Sequence, residues 1–226
     1  MCERYVIADQ SAVEHEFRLT RPWWRFSSSY NVSTQRNVPA IRTFQGETEG
    51  VMMRWGLIPG WAEGDALKAS ATHAPAEGID RSRLFGDAWR RGQRCILPAS
   101  GFYGWQLTAA GHRRPYFVRL VNRSVFGFAA LWDQSVVKED DDVIEGCALI
   151  TVPPNPLISE VHNTFGRMPA ILRREDYEQW LMAPPAKAAA LLKTYPQHAM
   201  VTHAVSPRVN SPKSDDESLI RPDLSA

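Results

Sequence analysis

The chain has 226 residues, of which 44% are hydrophobic and 23% charged, the balance typical of globular proteins. Its formal net charge of +1 excludes a global electrostatic attraction to nucleic acid or acidic membranes, so either kind of binding would need a local basic patch. The three cysteines form no CxxC pair, which argues against a disulfide framework and against a zinc site. A polar N-terminus and the lack of a long apolar run lead us to expect a cytoplasmic protein with no membrane span.

The first predicted element is a short helix over residues 8–19, where apolar residues recur at helical spacing. From Tyr30 onward, short apolar or aromatic runs are bounded by Gly, Pro and polar clusters, which indicates strands of a mostly antiparallel sheet. These runs are VPAIRTF, GVMMRWGLIPG, RCILPASGFYGW, RPYFVRL, SVFGFAALW and CALITV. Between two of them, TAAGHRR predicts a hairpin loop, and KEDDDV predicts an acidic, solvated turn.

Helices are predicted to interrupt the strands. SRLFGDAWRRG has an apolar face and Gly92 as its stop, and REDYEQWLMAP begins with acidic residues and ends at Pro184. AKAAALLKTY follows and is rich in strong helix formers. The polar, Pro-rich tail VSPRVNSPKSDDESLIRPDLSA is either an ordered wrap or a frayed end.

Cys2 is the first candidate for chemistry. Removal of Met1 would leave a free 1,2-aminothiol, whose amine has a pKa of about 7.7–8 and whose thiol has a pKa of about 8.5. The amine condenses with an aldehyde to an imine, and the thiol then closes on the imine carbon to give a thiazolidine. The plainer interpretation is a small residue placed by chance near a frayed terminus.

His162 is the second candidate, in the run NPLISEVHNTFGRMPAIL. Imidazole moves protons near pH 7, and Arg167 in the same run has the planar guanidinium that suits a phosphate. A lone histidine beside a strand is more often structural, so residue type alone leaves both interpretations open.

Aromatic and basic residues are interleaved in RPWWRFSSSYNV and MRWGLIPGWAEG, a combination typical of single-stranded nucleic-acid binding. Tryptophan in strands usually belongs to the core, so we expect most of four residues to be buried: Trp23, Trp24, Trp55 and Trp61. Trp61, which follows Pro59-Gly60, is the one expected on an exposed loop. The sequence has no Gly-rich phosphate loop, GxSxG elbow or HExxH motif, so we expect no cofactor and no metal.

Several segments occur in one order along nearly the whole chain: MCERY, YNV, VPAIR, MRWGLIPGWA, SRLFGDAW, CILPASGFYGW, PYFVRL, FAALWD, ITVPPNPLISEVHN, RMPAIL and VSPRVNSPKSDDESLI. In this order they resemble the SRAP family (SOS response-associated peptidases, also called abasic site processing proteins). The resemblance implies binding to single-stranded DNA at abasic sites. It further implies coupling of an N-terminal Cys to the ring-opened sugar aldehyde as a thiazolidine. The family's Glu and His handle proton transfers, and its Asn helps to hold the N-terminus and the deoxyribose.

Carried over residue by residue, the resemblance keeps the nucleophile and the His but not the Glu. Cys2 and His162 match the family residues, whereas GFYGW puts Gly104 where the family has its catalytic Glu. Losing a general acid costs typically about 10²–10⁴-fold in rate. Glu3 replaces the usual Gly after the Cys, and we expect its carboxylate to compensate.

The family's N-A-R-x-E-T motif falls on HAPAEG. His73 therefore stands at the Asn position, Pro75 at the Arg position and Glu77 at the Glu position. His73 is expected to act as a substitute proton shuttle. Asn31, in the YNV segment, is expected to contact DNA.

The predicted fold is a single α+β domain over residues 1–226, with a mainly antiparallel, strongly curved or barrel-like sheet and peripheral helices. The predicted catalytic residues are Cys2, His162, His73 and Glu3. The predicted DNA contacts are Arg4, Asn31, Trp61, Glu77 and Arg167.

The predicted function is covalent capture of abasic sites in single-stranded DNA through Cys2, by a monomer without metal or cofactor. The alternative is a binding module that kept the fold while the chemistry decayed, and the substitutions at Gly104 and His73 favour it. A thiol protease that pairs Cys2 with His162 is a third interpretation, for which the sequence shows no oxyanion donor and no orienting residue.

Overall fold

The structure is a computed structural model that describes residues 3–19, 22–62, 71–137 and 142–223. The strands in these ranges are β1 (Arg4–Ile7), β2 (Ser29–Ser33), β3 (Asn37–Phe44), β4 (Glu47–Trp55), β5 (His73–Pro75), β6 (Arg94–Ala99), β7 (Gly101–Leu107), β8 (Arg113–Leu120), β9 (Phe126–Val137), β10 (Asp142–Val152), β11 (Met168–Pro169), β12 (Ile171–Leu172) and β13 (Met200–Ala204). The α-helices are α1 (Gln10–Phe17), α2 (Gly86–Arg90), α3 (Pro156–Val161), α4 (Tyr177–Met182) and α5 (Pro185–Ala189). Short 3₁₀ helices occupy Ile79–Arg81, Arg174–Asp176, Gln197–Ala199, Pro207–Asn210 and Glu217–Ile220.

Five strands close into a barrel. β10 pairs with β4, β4 with β3, β3 with β6, β6 with β9, and β9 returns to β10. Every pairing in this ring is antiparallel except β4–β10, which is parallel. The ring confirms the expected α+β fold with a barrel-like sheet, and closure removes the exposed edges that an open sheet would present.

A second sheet has the strand order β13-β8-β7-β1-β2, with antiparallel pairing throughout. β1 lies between β2 and β7, so it is held on both edges. Its Tyr5 points into the core, where its ring centroid lies 5.2 Å from that of Trp55 and 5.9 Å from that of Phe128. Burial of an aromatic side chain of this size contributes about 1.5–3 kcal/mol, so this contact fixes the position of β1.

The helices are shorter than the sequence pattern predicts. α1 covers Gln10–Phe17 rather than residues 8–19, because Arg18 adopts a left-handed conformation (φ 52°) that ends it. α2 keeps only Gly86–Arg90 of the predicted SRLFGDAWRRG helix, and Gly92 (φ 72°) follows it as the expected stop. No helix within the described residues is long and apolar enough to span a bilayer.

The predicted turns have different outcomes. The TAAGHRR segment does form the β7–β8 hairpin, closed by backbone hydrogen bonds between Thr108 and His112 and between Gly111 and Thr108. Most of KEDDDV lies in residues 138–141, outside the described residues. The tail is an ordered wrap as far as residue 223, with two 3₁₀ turns against the second sheet.

Candidate functional site

His162 lies where the end of α3 meets β7. Asn155 caps the start of α3 with its side chain, and the helix ends at residue 161, so that His162 leaves it with φ −143° and ψ 56°. Its Nδ1 accepts a hydrogen bond from the backbone N–H of Trp105 at 3.1 Å. The next residue, Asn163, exchanges two side-chain hydrogen bonds with the backbone of Leu107, at 2.8 and 3.0 Å. These contacts fasten His162 to β7.

The His162 ring is neutral near pH 7. The side chain is 4% exposed, and burial lowers its pKa to about 4, with a smaller contribution from the positive charge of Arg113. Because Nδ1 accepts the Trp105 N–H, the neutral ring carries its proton on Nε2. Nε2 is buried and has no hydrogen-bond partner among the described residues. It is therefore an unused donor, the kind of group that a substrate oxygen can satisfy.

Gly104 packs directly under this histidine. A Cβ atom at this position would lie 2.9 Å from the carbonyl oxygen of Val161 and 3.2 Å from the Cβ of His162. A contact under 3.0 Å forces a shift in the backbone. The end of α3 therefore occupies the space that a side chain at position 104 would need.

His73 lies on β5, which pairs in parallel with β10. It is 6% exposed, its Nδ1 lies 2.8 Å from Oγ1 of Thr72, and its ring meets Trp55 edge-on at 5.7 Å. A catalytic role for His73 stays a prediction.

The strand next to β7 is β1, at the start of the described chain. Tyr5 pairs with Phe102 and Val6 with Gly101, in antiparallel register. β1 begins at Arg4, so Glu3 lies just before it. Glu3 is exposed, and Cys2, which precedes it, lies outside the described residues.

Arg4 and Asn31, both predicted DNA contacts, hold the C-terminal tail. Asn31 is buried, and its amide donates to three backbone carbonyls of the tail at 3.2, 2.9 and 2.7 Å. Arg4 donates to Oδ1 of Asn31 at 3.0 Å and to the carbonyl of Asn210 at 3.4 Å. Asn210 in turn accepts the indole N–H of Trp105 at 2.8 Å. A DNA role for Arg4 and Asn31 stays a prediction.

Glu77 and Arg167, two further predicted DNA contacts, pair with each other. Nη2 of Arg167 lies 2.6 Å from a carboxylate oxygen of Glu77, and this hydrogen bond lowers the pKa of Glu77. The same guanidinium donates to the hydroxyl of Thr151 at 3.1 Å and to its carbonyl at 2.5 Å. Most of the donor capacity of Arg167 is thus used within the protein, and its role as a phosphate clamp stays a prediction.

Trp61 is 44% exposed, as expected, and it lies on the loop after β4. The expectation that most of the four tryptophans are buried is wrong, because Trp23 is 72% exposed as well. Trp24 and Trp55 are buried at 4% and 0%. The two exposed rings lie in loops rather than strands, where the sheet does not cover them.

The two cysteines that the structure describes lie away from solvent. Cys95 and Cys147 are free and fully buried in the barrel, and burial raises the pKa of both thiols. No group of three or more His, Cys, Asp or Glu side chains among the described residues is placed to hold a metal ion.

Sequence reasoning missed the backbone N–H of Trp105, which fixes the tautomer of His162. A backbone donor leaves no signal in residue type. It also missed Arg83, whose guanidinium carbon lies 5.1 Å from the ring centroid of Trp61. The run of arginines after residue 80 is the signal that could have drawn attention to Arg83.

Comparison with known proteins gives the family. The family described as "SOS response associated peptidase (SRAP)" matches residues 1–212. The abasic site processing protein YoqW of Bacillus subtilis (strain 168) is 30% identical over 226 residues, which cover 97% of this chain and 99% of YoqW. The abasic site processing protein HMCES of Mus musculus is 26% identical over an alignment 250 residues long. The alignment covers 92% of this chain and 70% of HMCES. A crystal structure of a Bacteroides thetaiotaomicron protein superposes with a TM-score of 0.88 at 26% identity, over 99% of this chain and 100% of that one. The chain belongs to the SOS response associated peptidase family.

Proposed function

We propose that this protein binds single-stranded DNA and captures abasic sites covalently through Cys2, as a thiazolidine. Family membership and the names of the relatives support abasic-site processing as the general function. The observation that carries the proposal for this chain is the buried Nε2 of His162, which has no hydrogen-bond partner among the described residues. The same ring is held by β7, the strand that pairs with β1.

Chain connectivity makes the link to Cys2. Cys2 precedes Glu3 in the sequence, and Glu3 immediately precedes β1, the strand that pairs with β7. The residue after Gly104 is Trp105, whose N–H holds His162. We therefore propose that the sugar aldehyde is bound between the start of β1 and Nε2 of His162.

The proposed reaction needs no redox step. After Met1 is hydrolysed off, the amine of Cys2 adds to C1′ of the ring-opened sugar, and the carbonyl oxygen takes up a proton. The carbinolamine loses that oxygen as water to give the imine. The thiol then adds across the C=N bond, so that sulfur bonds to C1′ and its proton passes to nitrogen. One C–N and one C–S bond form, and one molecule of water leaves.

His162 would act in this sequence as a neutral hydrogen-bond donor. Its Nε2–H is available, and its lone pair on Nδ1 is engaged by Trp105. Donation to the carbonyl oxygen stabilises the charge that develops there during amine attack, as a neutral imidazole of lowered pKa does in other enzymes. Burial raises the strength of this hydrogen bond, because the local dielectric constant is low.

The protons that the family's Glu would handle need another source. His73 is proposed as the shuttle, because it is buried and its Nδ1 lies within hydrogen-bond distance of the hydroxyl of Thr72. Glu3 is the second proposed source, because its exposed carboxylate is adjacent to Cys2 in the chain. Aminothiols and aldehydes condense without enzymes, so the loss of Glu slows the reaction rather than forbidding it.

The second candidate function is a DNA-binding module without covalent chemistry. The packing of α3 against Gly104 favours it, because the position cannot regain a carboxylate without movement of the backbone. The two candidates differ in one observable, the bond between protein and DNA.

The test is a denaturing gel of Met1-processed protein incubated with single-stranded DNA that carries one abasic site. Covalent capture predicts a shifted band that Cys2→Ala abolishes. A complex on a native gel, without any band that survives denaturation, would support the binding module and overturn the proposal.

Variants at the histidines separate the roles. Gln at position 162 can accept the Trp105 N–H through its oxygen and donate through its nitrogen, whereas Ala can do neither. If His162 acts as a donor, His162→Gln keeps more of the crosslinking rate than His162→Ala. Equal loss in both variants would mean that the ring itself transfers the proton. An unchanged rate in both His73→Ala and Glu3→Gly would remove these two residues from the mechanism.

A further inference from the structure

The turn that carries Trp61 is rigidly supported from below. The N–H of Ala62 donates to the carbonyl of Pro59 at 2.9 Å, which closes a four-residue turn around Gly60 and Trp61. The N–H of Gly60 donates to the carboxylate of Asp133 at 3.0 Å, and Asp133 is 4% exposed. Trp61 is thus presented to solvent by a turn with a buried anchor, so its ring needs little ordering before it stacks on a ligand.

Arg83 lies over this ring. Its guanidinium carbon is 5.1 Å from the ring centroid of Trp61, within the range of a cation–π contact. Arg83 is exposed and has no carboxylate partner among the described residues. In contrast, Arg167 is paired with Glu77, and Arg4 is engaged by Asn31 and the tail.

Other arginines of the same segment are also paired. Arg90 forms an ion pair with Asp87, and Arg91 contacts both carboxylate oxygens of Asp133 at 2.9 and 3.0 Å. Among the described residues of this segment, Arg83 therefore has three properties together. It is exposed, its guanidinium lies over an aromatic ring, and it forms no ion pair with a described carboxylate.

The pair is connected to the proposed reaction site by two chain segments. Residues 56–61 lead from Trp55 to Trp61, and residues 74–83 lead from His73 to Arg83. At the start of the two segments, the ring centroids of Trp55 and His73 lie 5.7 Å apart. At their ends, the guanidinium of Arg83 lies over the ring of Trp61. Six residues span at most about 20 Å, so Trp61 lies within that distance of Trp55.

We infer that Arg83, held against Trp61, contacts the backbone phosphate of single-stranded DNA beside the abasic nucleotide, while the free face of Trp61 stacks on a base. The fork of a guanidinium matches phosphate oxygens, and an aromatic face accepts any base, which together give binding without sequence preference. The inference rests on the proposed function for the identity of the ligand. It assigns to Arg83 a phosphate contact in addition to those predicted for Arg4 and Arg167.

The test is the salt dependence of binding to fluorescein-labelled, undamaged oligothymidylate of about 20 nucleotides. Each phosphate contact to a single strand contributes about 0.7 to the slope of log K against log salt. Arg83→Gln should lower the slope by about 0.7, which is about a 5-fold loss of affinity at about 0.1 M salt and none at about 1 M. Trp61→Ala should lower affinity by about 5-fold or more at every salt concentration.

Arg81→Gln is the matched control. It removes the same charge two residues away, from a side chain that is 86% exposed and whose described ion pair is a 3.9 Å contact with Asp80. If Arg83→Gln and Arg81→Gln change the slope equally, Arg83 adds only general charge and the inference is wrong.

Crosslinking at saturating abasic DNA, measured in parallel, separates the two proposals. If wild-type protein crosslinks but Arg83→Gln binds like wild type, the inference fails and the proposed function stands. If no protein crosslinks but Arg83→Gln loses the phosphate contact, the binding surface stands and the covalent chemistry fails.

Discussion

Replacement of Gly104 by Ala probes the contact on which the geometry of His162 depends. The added Cβ would lie 2.9 Å from the carbonyl oxygen of Val161 and 3.2 Å from Cβ of His162. Ordinary contacts begin near 3.4 Å, so β7 and the end of α3 must separate by a few tenths of an ångström. The movement would lengthen the hydrogen bond from Trp105 to Nδ1 of His162, which is 3.1 Å in the structure.

The expected cost follows from two opposing effects. Overpacking in a buried site costs about 1–3 kcal/mol. Replacing Gly by Ala gains about 0.4–1 kcal/mol, because the unfolded chain has fewer conformations to lose. The net destabilisation is about 1–2 kcal/mol, which for a chain of this length lowers Tm by about 2–8 °C.

The assay pairs urea denaturation with the rate of crosslinking to abasic single-stranded DNA. Gly46→Ala is the stability-matched control, because Gly46 lies in the β3–β4 hairpin with φ +82° and nothing within 4 Å of an added Cβ. Its cost of about 1–2 kcal/mol comes from backbone strain alone. Gly104→Ala should lower the crosslinking rate, whereas Gly46→Ala should leave it unchanged.

Two results would refute this reasoning. If Gly104→Ala is as stable as wild type, α3 does not press against β7 as the structure has it. If both variants lose stability and neither loses rate, the position of His162 does not limit the chemistry. Gly104→Glu should be less stable still and should not restore the rate, because the side chain must first displace α3.

Three further substitutions test the rest of the account. The pKa of His162 is lowered from 6.5 to about 4 by burial, so the unfolded chain takes up the proton first and stability is lost as pH falls from above 6.5 through 4. The Gln of His162→Gln does not titrate. Between about pH 7 and pH 4, the variant should therefore lose about 2–3 kcal/mol less free energy of unfolding than wild type, as measured by denaturation followed by circular dichroism. The hydroxyl of Tyr5 is buried without a partner among the described residues, so Tyr5→Phe should raise the free energy of unfolding by about 1 kcal/mol, and a loss of that size would mean that the hydroxyl is satisfied. Asn31→Ala removes three hydrogen bonds to tail carbonyls, so amide exchange in residues 206–223 should accelerate well before global unfolding, and protection equal to that of wild type would contradict this role for Asn31.

The strands were predictable because each is a short apolar run bounded by turn residues. The closure of the barrel was not, since it depends on the parallel pairing of β4 with β10, strands that are about 90 residues apart in sequence. Local patterns fix the faces of a strand, but they do not choose its distant neighbour.

The exposure of Trp61 was predictable, because a Pro-Gly turn precedes it, whereas the role of His162 stays a prediction. The partners of charged side chains were not predictable where they are remote in sequence. Arg167 meets Glu77 across 90 positions, and Arg4 meets Asn210 across 206, so the sequence could not show that either arginine bonds within the protein. The commitment of a guanidinium is a property of the tertiary structure.

The most direct test of the central claim is intact mass spectrometry of the product between Met1-processed protein and abasic single-stranded DNA, followed by peptide mapping. The account predicts a mass equal to protein plus DNA less one water, with the adduct on the N-terminal peptide that begins at Cys2, and no adduct for Cys2→Ala. An unmodified Cys2 in a tight complex, or an adduct that persists in Cys2→Ala, would contradict it.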